Sequence, residues 1–443
     1  MCAFIPAFPS IDGTTRRFTD SISPGGPPHR SNLKRPKRRS ILAKPLEGVR
    51  VLEIGQLMAG PFAGTILGYY GAEVIKIEAP QGGDPVRAWR GVDEDGTSLW
   101  WRSLGRNKKC ITADLRTEAG RTIARELAFK SDVIIENFKP GTMEKWNLGP
   151  EDIKAKNPDV IYCRVSGYGQ TGPYSSKPGY AAVCEGVGGF RYVNGFPDRP
   201  PCRPNLSLGD SLAGLHAAFG IVMALFNKLG RKGREGGGSG QEIDVAIYES
   251  VFNMMEAVVP EFDRLGMVRE REGSKLTGIV PTNTYLCRDD LYVIIGGSGD
   301  SIFKRLMIAA GRPDMASDPE YATNTDRVRN EPEVDGAIAA WTATLTAAEV
   351  VAKLEAAQVP VGSIFNVRDM VNDPHYNARG MFEEVDVGGR PLKLPALSPK
   401  LSGTPGGTEW PGPELGAHTV EVLKAVLGRT DEEIAALKAQ GAI

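Results

Sequence analysis

Apolar positions along this chain change their period at regular intervals. Val49, Val51, Leu52 and Ile54 form a short run bounded by Gly48 and Gly55, the pattern of a buried strand. Gly60-Pro61 opens a helical stretch that reaches Tyr70, with proline at a favoured first position, and Gly71 stops it. Residues 73–77 are apolar and β-branched again. Strand, helix and strand thus follow within about thirty residues, a βαβ unit. The alternation continues with strands predicted over 110–113, 132–136 and 159–163 and helices over 117–130 and 150–154. The expected fold class is α/β, a parallel sheet flanked by helices on both faces. Ligands of such sheets bind beyond the carboxyl ends of the strands.

The longest apolar stretch follows. Leu212, Leu215, Phe219, Met223 and Phe226 recur at helical spacing. The predicted helix begins just after Leu206-Ser207-Leu208-Gly209-Asp210-Ser211 and stops at Gly230-Arg231. That puts Asp210 at the positive end of a helix, where free N–H groups hold a carboxylate ionised. Gly209, lacking a side chain, leaves room for a bulky group. An ionised carboxylate on an open glycine turn can act as a nucleophile. Asp210 or Ser211 can equally be a plain helix cap, and these residues alone leave both readings open.

Beyond a connector at 230–240 (GRKGREGGGSG), a strand and a helix are predicted over 242–259. Residues 273–385 read as a smaller domain, with a strand at 291–295, helices near 301–311, 331–345 and 347–357, and an extended piece at 361–367. Residues 391–413 are rich in proline and glycine, and helices over 419–427 and 431–440 close the chain. Gly167-Tyr168-Gly169-Gln170-Thr171-Gly172 matches the dinucleotide pattern G-x-G-x-x-G. That fingerprint needs a helix next, and Pro173 to Gly179 cannot form one, so the segment is a glycine-rich turn.

Composition narrows the function classes. The 443 residues exceed one compact core. The 53 basic and 54 acidic residues nearly cancel, which argues against a nucleic-acid surface. Six cysteines lie far apart with no C-x-x-C pair, against a zinc site and in favour of reduced thiols in an intracellular protein. The run 212–226 falls short of the about 20 residues a membrane span needs, so no membrane association is expected. Residues 1–45 carry nine basic residues against Asp12 and Asp20. Without apolar periodicity they are expected to be disordered. Their Arg- and Ser-rich, acid-poor composition suits a mitochondrial transit peptide; an uncleaved tail on a cytoplasmic protein is the alternative.

Six segments, in order, then carry a resemblance: 45–53 (PLEGVRVLE), 59–61 (AGP), 71–78 (GAEVIKIE), 136–141 (ENFKPG), 208–211 (LGDS) and 415–419 (LGAHT). The chain resembles the class III CoA-transferases, of the formyl-CoA transferase and carnitine CoA-transferase type, over about residues 45–443. The resemblance implies a Rossmann-like parallel sheet with a second, smaller α+β domain and a homodimer of two interlocked rings. It implies a large CoA-binding domain at 46–235, a linking strand and helix at 236–272, the small domain at 273–385 and a return segment at 386–443. The family nucleophile falls on Asp210. The CoA-binding loops fall on Ala59, Ala113, Asp114, Leu115, Arg116, Asn137, Phe138, Lys139 and Lys145.

The chemistry implied is attack of the Asp210 carboxylate on an acyl-CoA, giving a mixed anhydride. The released thiolate then forms an aspartyl-CoA thioester, and a second carboxylic acid reverses the steps. CoA thioesters are substrates; no metal or separate cofactor is expected. Departures from the formyl-CoA type at Gln56, Met58 and Ala79 argue against formate and oxalate. The loop at 273–279 (GSKLTGI) stands in for a tetraglycine loop and looks closer to the succinyl-CoA-dependent dicarboxylate transferases. The alternatives are an α-methylacyl-CoA racemase or a CoA-binding protein without catalysis. A racemase needs two bases. Here Gly179-Tyr180-Ala181 has alanine where the racemases have aspartate, and no histidine lies between His29 and His216. Glu185 is the nearest carboxylate to that gap.

Overall fold

The computed structural model describes residues 43–230 and 238–443. The basic extension up to residue 42 and most of the glycine-rich connector lie outside the described residues.

Six strands build the main sheet: β1 (Arg50–Glu53), β2 (Glu73–Glu78), β3 (Lys108–Thr112), β4 (Val133–Glu136), β5 (Ile161–Ser166) and β6 (Glu242–Ala246). Their order is β3-β2-β1-β4-β5-β6, and every pairing is parallel. The chain steps outward from β1 to β3 and returns to place β4 on the other side of β1. The order therefore reverses between β1 and β4, where such sheets open a ligand crevice. Strands β1 to β5 carry mostly buried residues because both faces are covered, with Lys76 and Lys108 among them as buried charges, while β6 at the edge is partly exposed. Val51, Val74 and Ile135 face a layer containing Ala63, Leu67, Ala213, Ala217 and Ile221. Their neighbours Leu52, Ile75 and Ile134 face Ile123, Leu127, Val422 and Leu423.

Two helices on the first face set the site. Ala59–Tyr69 follows β1, and Leu208–Gly230 lies across it. They meet at Gly214, where an added Cβ would stand 2.7 Å from the Ala59 carbonyl oxygen. Only glycine allows that approach.

The long helix starts earlier than its periodicity predicts. It spans Leu208–Gly230, so Asp210 lies inside its first turn, and the Ser207 carbonyl accepts the Ser211 N–H at 3.0 Å. Its 23 residues make it long and apolar enough, by length and composition, to cross a membrane, which corrects the expectation that this run is too short. Small residues line its buried face. Leu215, Phe219, Met223, Phe226 and Leu229 lie on the exposed one, with Phe226 77% exposed.

A second core forms around an antiparallel sheet of β7 (Thr282–Leu286), β8 (Tyr292–Gly296) and β9 (Val361–Ser363). Val293 and Ile295 pack there with Phe303, Leu306, Val334, Ile338, Val350 and Leu354 from the covering helices. β10 (Phe382–Val387) and β11 (Arg390–Pro395) form a hairpin whose turn residues Gly388 and Gly389 both have positive φ, as a two-residue hairpin loop demands. The expected boundary at 385 falls inside this hairpin. The return segment then lies along the β3 edge. The Trp410 indole donates to the Lys108 carbonyl, and the Thr419 hydroxyl accepts the Thr112 N–H at 3.0 Å.

Candidate active site

The crevice loop after β1 is held from beneath by four fully buried charges. Lys76 bridges Glu53 at 2.9 Å and Asp84 at 3.0 Å, and Lys108 meets Glu53 at 2.8 Å. Removing any one leaves an uncompensated buried charge, a loss of about 3–5 kcal/mol. The cluster also shapes the backbone above it. Lys76 donates to the Gly55 carbonyl at 2.7 Å, and Asp84 accepts the Leu57 N–H at 3.2 Å. Leu57 itself has φ +64°. Asn137, at the end of β4, accepts the Gln56 N–H at 2.8 Å and donates to the Gln56 carbonyl at 2.7 Å.

Beyond the ends of β1 to β4 lies a cleft of about 270 Å³. Ala113, Asp114, Leu115, Arg116 and Phe138 line it, as anticipated, together with Gln56, Gln81 and Trp146. Phe138 and Trp146 meet edge to face at 5.2 Å. Arg116 is paired through both ends of its fork with Asp114, at 2.9 and 2.8 Å, and keeps most of its side chain in solvent.

The other predicted contacts fall elsewhere. Asn137 spends its side-chain amide on Gln56, so it holds the loop in place. Ala59 is buried in the core. Lys139 and Lys145 are exposed and are not among the lining residues.

Asp210 departs from its anticipated setting in three ways. It sits in the helix rather than ahead of it. Gly209 is buried, and an added Cβ would lie 3.2–3.4 Å from Ile247, Glu185 and Ala181, so protein fills the space that was expected to be open. The Asp210 carboxyl is also not held low by helix N–H groups. Burial pushes its pKa from 3.8 up to about 6; the nearby Glu185 charge adds to this and Arg203 opposes it. Among the described residues the only partners found in this first turn belong to its neighbours: the Gly209 N–H donates to Glu185 at 3.2 Å and the Ser211 hydroxyl to the Ser207 carbonyl at 2.9 Å. The helix-cap reading therefore fails.

Glu185 is fully buried on the Ala181–Val187 helix. Besides Gly209 it meets Arg191 at 3.4 Å and Arg203 at 3.7 Å. Two carboxylates and two guanidiniums thus surround the start of the long helix. A third cation reaches in from the loop after β2: Arg90 stacks on Trp100 at 3.9 Å and contacts the Ser207 hydroxyl at 3.4 Å. Sequence reasoning missed Arg90, Arg203 and Trp146, which lie outside any apolar repeat.

A cleft at the switch point of a parallel sheet, and in the same fold a partly buried carboxylate of raised pKa, are features of an enzyme that works on a nucleotide-bearing substrate. Residues 46–419 match the sequence profile of CoA-transferase family III, and the chain belongs to that family. It is 44% identical over 403 residues to the succinyl-CoA–D-citramalate CoA-transferase of Chloroflexus aurantiacus, covering 90% of this chain and 98% of that one. The succinyl-CoA–L-malate CoA-transferase alpha subunit of the same organism is 41% identical over 399 residues, covering 89% and 92%. Among solved structures, a CAIB/BAIF family protein from Brucella suis superposes with a TM-score of 0.76 at 33% identity, covering 87% of this chain and all of that one. The protein is an enzyme, a CoA-transferase with an α/β fold.

Proposed function

We propose that this enzyme moves CoA from succinyl-CoA to a second dicarboxylic acid, with Asp210 as covalent nucleophile. The observation that carries the reading is the Asp210 carboxyl: partly buried, raised to about 6, and set at the start of the helix that packs through Gly214 against Ala59. At pH 7 to 8 it is ionised, and its lone pairs are not tied up by capping bonds.

Attack on the thioester carbonyl gives an aspartyl–succinyl anhydride and releases CoA thiolate. The thiolate attacks the aspartyl carbonyl, frees succinate and leaves an aspartyl-CoA thioester. The incoming acid attacks that thioester, and the released thiolate then takes the acyl group and restores the Asp210 carboxylate. No electron is gained or lost, so the route consumes no redox group. Each tetrahedral oxyanion needs aimed N–H donors, and the first turn of the Leu208–Gly230 helix supplies candidates. The names of the relatives support a dicarboxylate acceptor. The second copy of a homodimer would cover the exposed apolar face of the long helix and the apolar groove formed with Leu46, Tyr70 and Pro399.

The test is direct. Purified protein with succinyl-CoA and L-malate or D-citramalate should yield the new acyl-CoA by mass spectrometry, without net hydrolysis. Hydroxylamine added with acyl-CoA should mark the peptide containing Asp210. Exchange without any mark at Asp210 would refute the covalent route. Finding no exchange with any dicarboxylate would refute the substrate class.

A further inference from the structure

Three guanidinium groups stand around the nucleophile, and only one buried carboxylate, Glu185, answers them. Arg90 has no acidic partner among the described residues; what it touches is the Trp100 ring and the Ser207 hydroxyl. Arg203 donates to the Leu206 carbonyl at 2.9 Å and meets Glu185 only at 3.7 Å. The two side chains come from different directions, one from the loop after β2 and one from the segment before the long helix. They converge on adjacent residues, Leu206 and Ser207, just ahead of Asp210.

The setting is built rather than incidental. Arg90 holds φ +64°, a conformation that costs a non-glycine residue energy and persists where the surroundings impose it. The segment carrying Arg203 is braced as well: the Gly273 N–H donates to the Gly195 carbonyl at 2.9 Å, and Arg271 to the Tyr192 carbonyl at 3.1 Å.

A shuttle through one aspartate uses its acid subsite twice. The donor's acyl group leaves as a free acid, and the acceptor then takes the same place. When both acids are dicarboxylates, both present a second, ionised carboxylate at the same distance from Asp210. Burying that charge without a partner is costly, and a guanidinium fork answers it with two parallel hydrogen bonds.

We propose that Arg90 and Arg203 together form the subsite for the distal carboxylate of the donor acyl group and of the acceptor acid. This rests on the function proposed above and adds the residues that select dicarboxylates over monocarboxylates.

The experiment compares two exchanges catalysed by the full-length protein: labelled succinate into succinyl-CoA, and labelled butyrate into butyryl-CoA. The two acyl groups match in length and differ in the distal carboxylate. The variants are Arg90→Asn, which tolerates the left-handed backbone, Arg203→Gln, and Arg203→Lys, which keeps the charge without the fork. Wild type should favour succinyl-CoA. Arg90→Asn should lower kcat/KM for succinyl exchange roughly 10- to 100-fold and leave butyryl exchange nearly unchanged. Arg203→Gln also removes the charge that opposes the rise of the Asp210 pKa, so it should slow both exchanges but lower succinyl exchange roughly 10-fold more than butyryl exchange. Arg203→Lys should fall between. Binding of CoA alone reports that each variant retains its cleft. An unaltered succinyl-to-butyryl ratio overturns the assignment, as does an equal loss on both substrates. A wild-type enzyme that favours butyryl-CoA, or exchanges neither, overturns the dicarboxylate reading instead, and the subsite with it.

Discussion

Replacing Asp210 with asparagine should abolish exchange and at the same time stabilise the protein at alkaline pH. The carboxyl pKa is raised from 3.8 to about 6, first by burial and then by the Glu185 charge. A group whose folded pKa lies above its unfolded one binds its proton more tightly in the native state. Below pH 4 both states are protonated and the carboxyl costs the fold nothing. As pH rises from 4 through 6 the unfolded chain ionises first, and stability falls. Above pH 7 the full difference applies, about 3 kcal/mol.

Asparagine keeps the shape and carries no charge, so Asp210→Asn should gain up to about 3 kcal/mol at pH 8 and little at pH 4. A residue acting as a helix cap behaves otherwise: asparagine caps about as well as aspartate, so the same change would leave stability at pH 8 nearly unaltered. Urea unfolding of both proteins at pH 8 and at the lowest pH where wild type stays folded measures the difference. Acyl exchange should fall by several orders of magnitude in the same variant. A variant less stable than wild type at pH 8 would refute the electrostatic reasoning. Near-normal exchange would remove Asp210 from the chemistry.

Three further outcomes follow from the same geometry. Glu185→Gln removes the charge that adds to burial, so the acid limb of kcat/KM, centred near 6 in wild type, should move to lower pH yet stay above 3.8; an unmoved limb would show that Glu185 does not couple to Asp210. Phe226→Asp places a charge on the 77%-exposed ring position of the long helix; if that face holds the proposed homodimer together, sedimentation should show a dimer for wild type and a monomer for the variant. Trp146→Ala strips one of the two edge-to-face rings from the cleft and should weaken CoA binding on the order of 10-fold or more by calorimetry, with kcat at saturating acyl-CoA little changed.

The main sheet was legible because most of its strands hold apolar residues sheltered on both faces. The second sheet was only partly so. Asn283 and Thr284 make β7 polar and half-exposed, which hides it from a reading based on apolar runs. The hairpin was missed for a different reason. Pro391 and Pro395 look like breakers, yet a two-stranded ribbon is all edge, and an edge tolerates proline; Gly388-Gly389 was the signal to follow. At the site, Asp210 was legible from its motif and half of the cleft from the strand ends. The start of the long helix was not, because Leu208 precedes the apolar repeat that defines the rest. Glu185 came to notice only as the nearest carboxylate to a gap in another family's motif. Arg90 and Arg203 sit in loops and are brought to the start of the long helix, next to Asp210, purely by tertiary structure.

The misreading of Gly209 shows what the site needs. An open glycine turn would leave Asp210 solvated, with a pKa near 4 and lone pairs shared with water. The fold instead closes Ala181, Glu185 and Ile247 around Gly209 and brings Gly214 hard against Ala59. Those two contacts seat the start of the helix against the protein, and burial there raises the carboxyl. The gain is bounded. A pKa much above 8 would leave the acid protonated at physiological pH, and one near 4 would make a weaker nucleophile. At about 6 the group is still almost wholly ionised at pH 8. The Gly209 N–H ahead of it is already taken by Glu185, so an oxyanion formed on the proposed route would draw on the remaining N–H groups of the turn, where stabilising a species that forms only during reaction accelerates it. Glu185 serves both ends of this arrangement: its charge lifts Asp210, and its carboxylate accepts the Gly209 N–H and so fixes the turn.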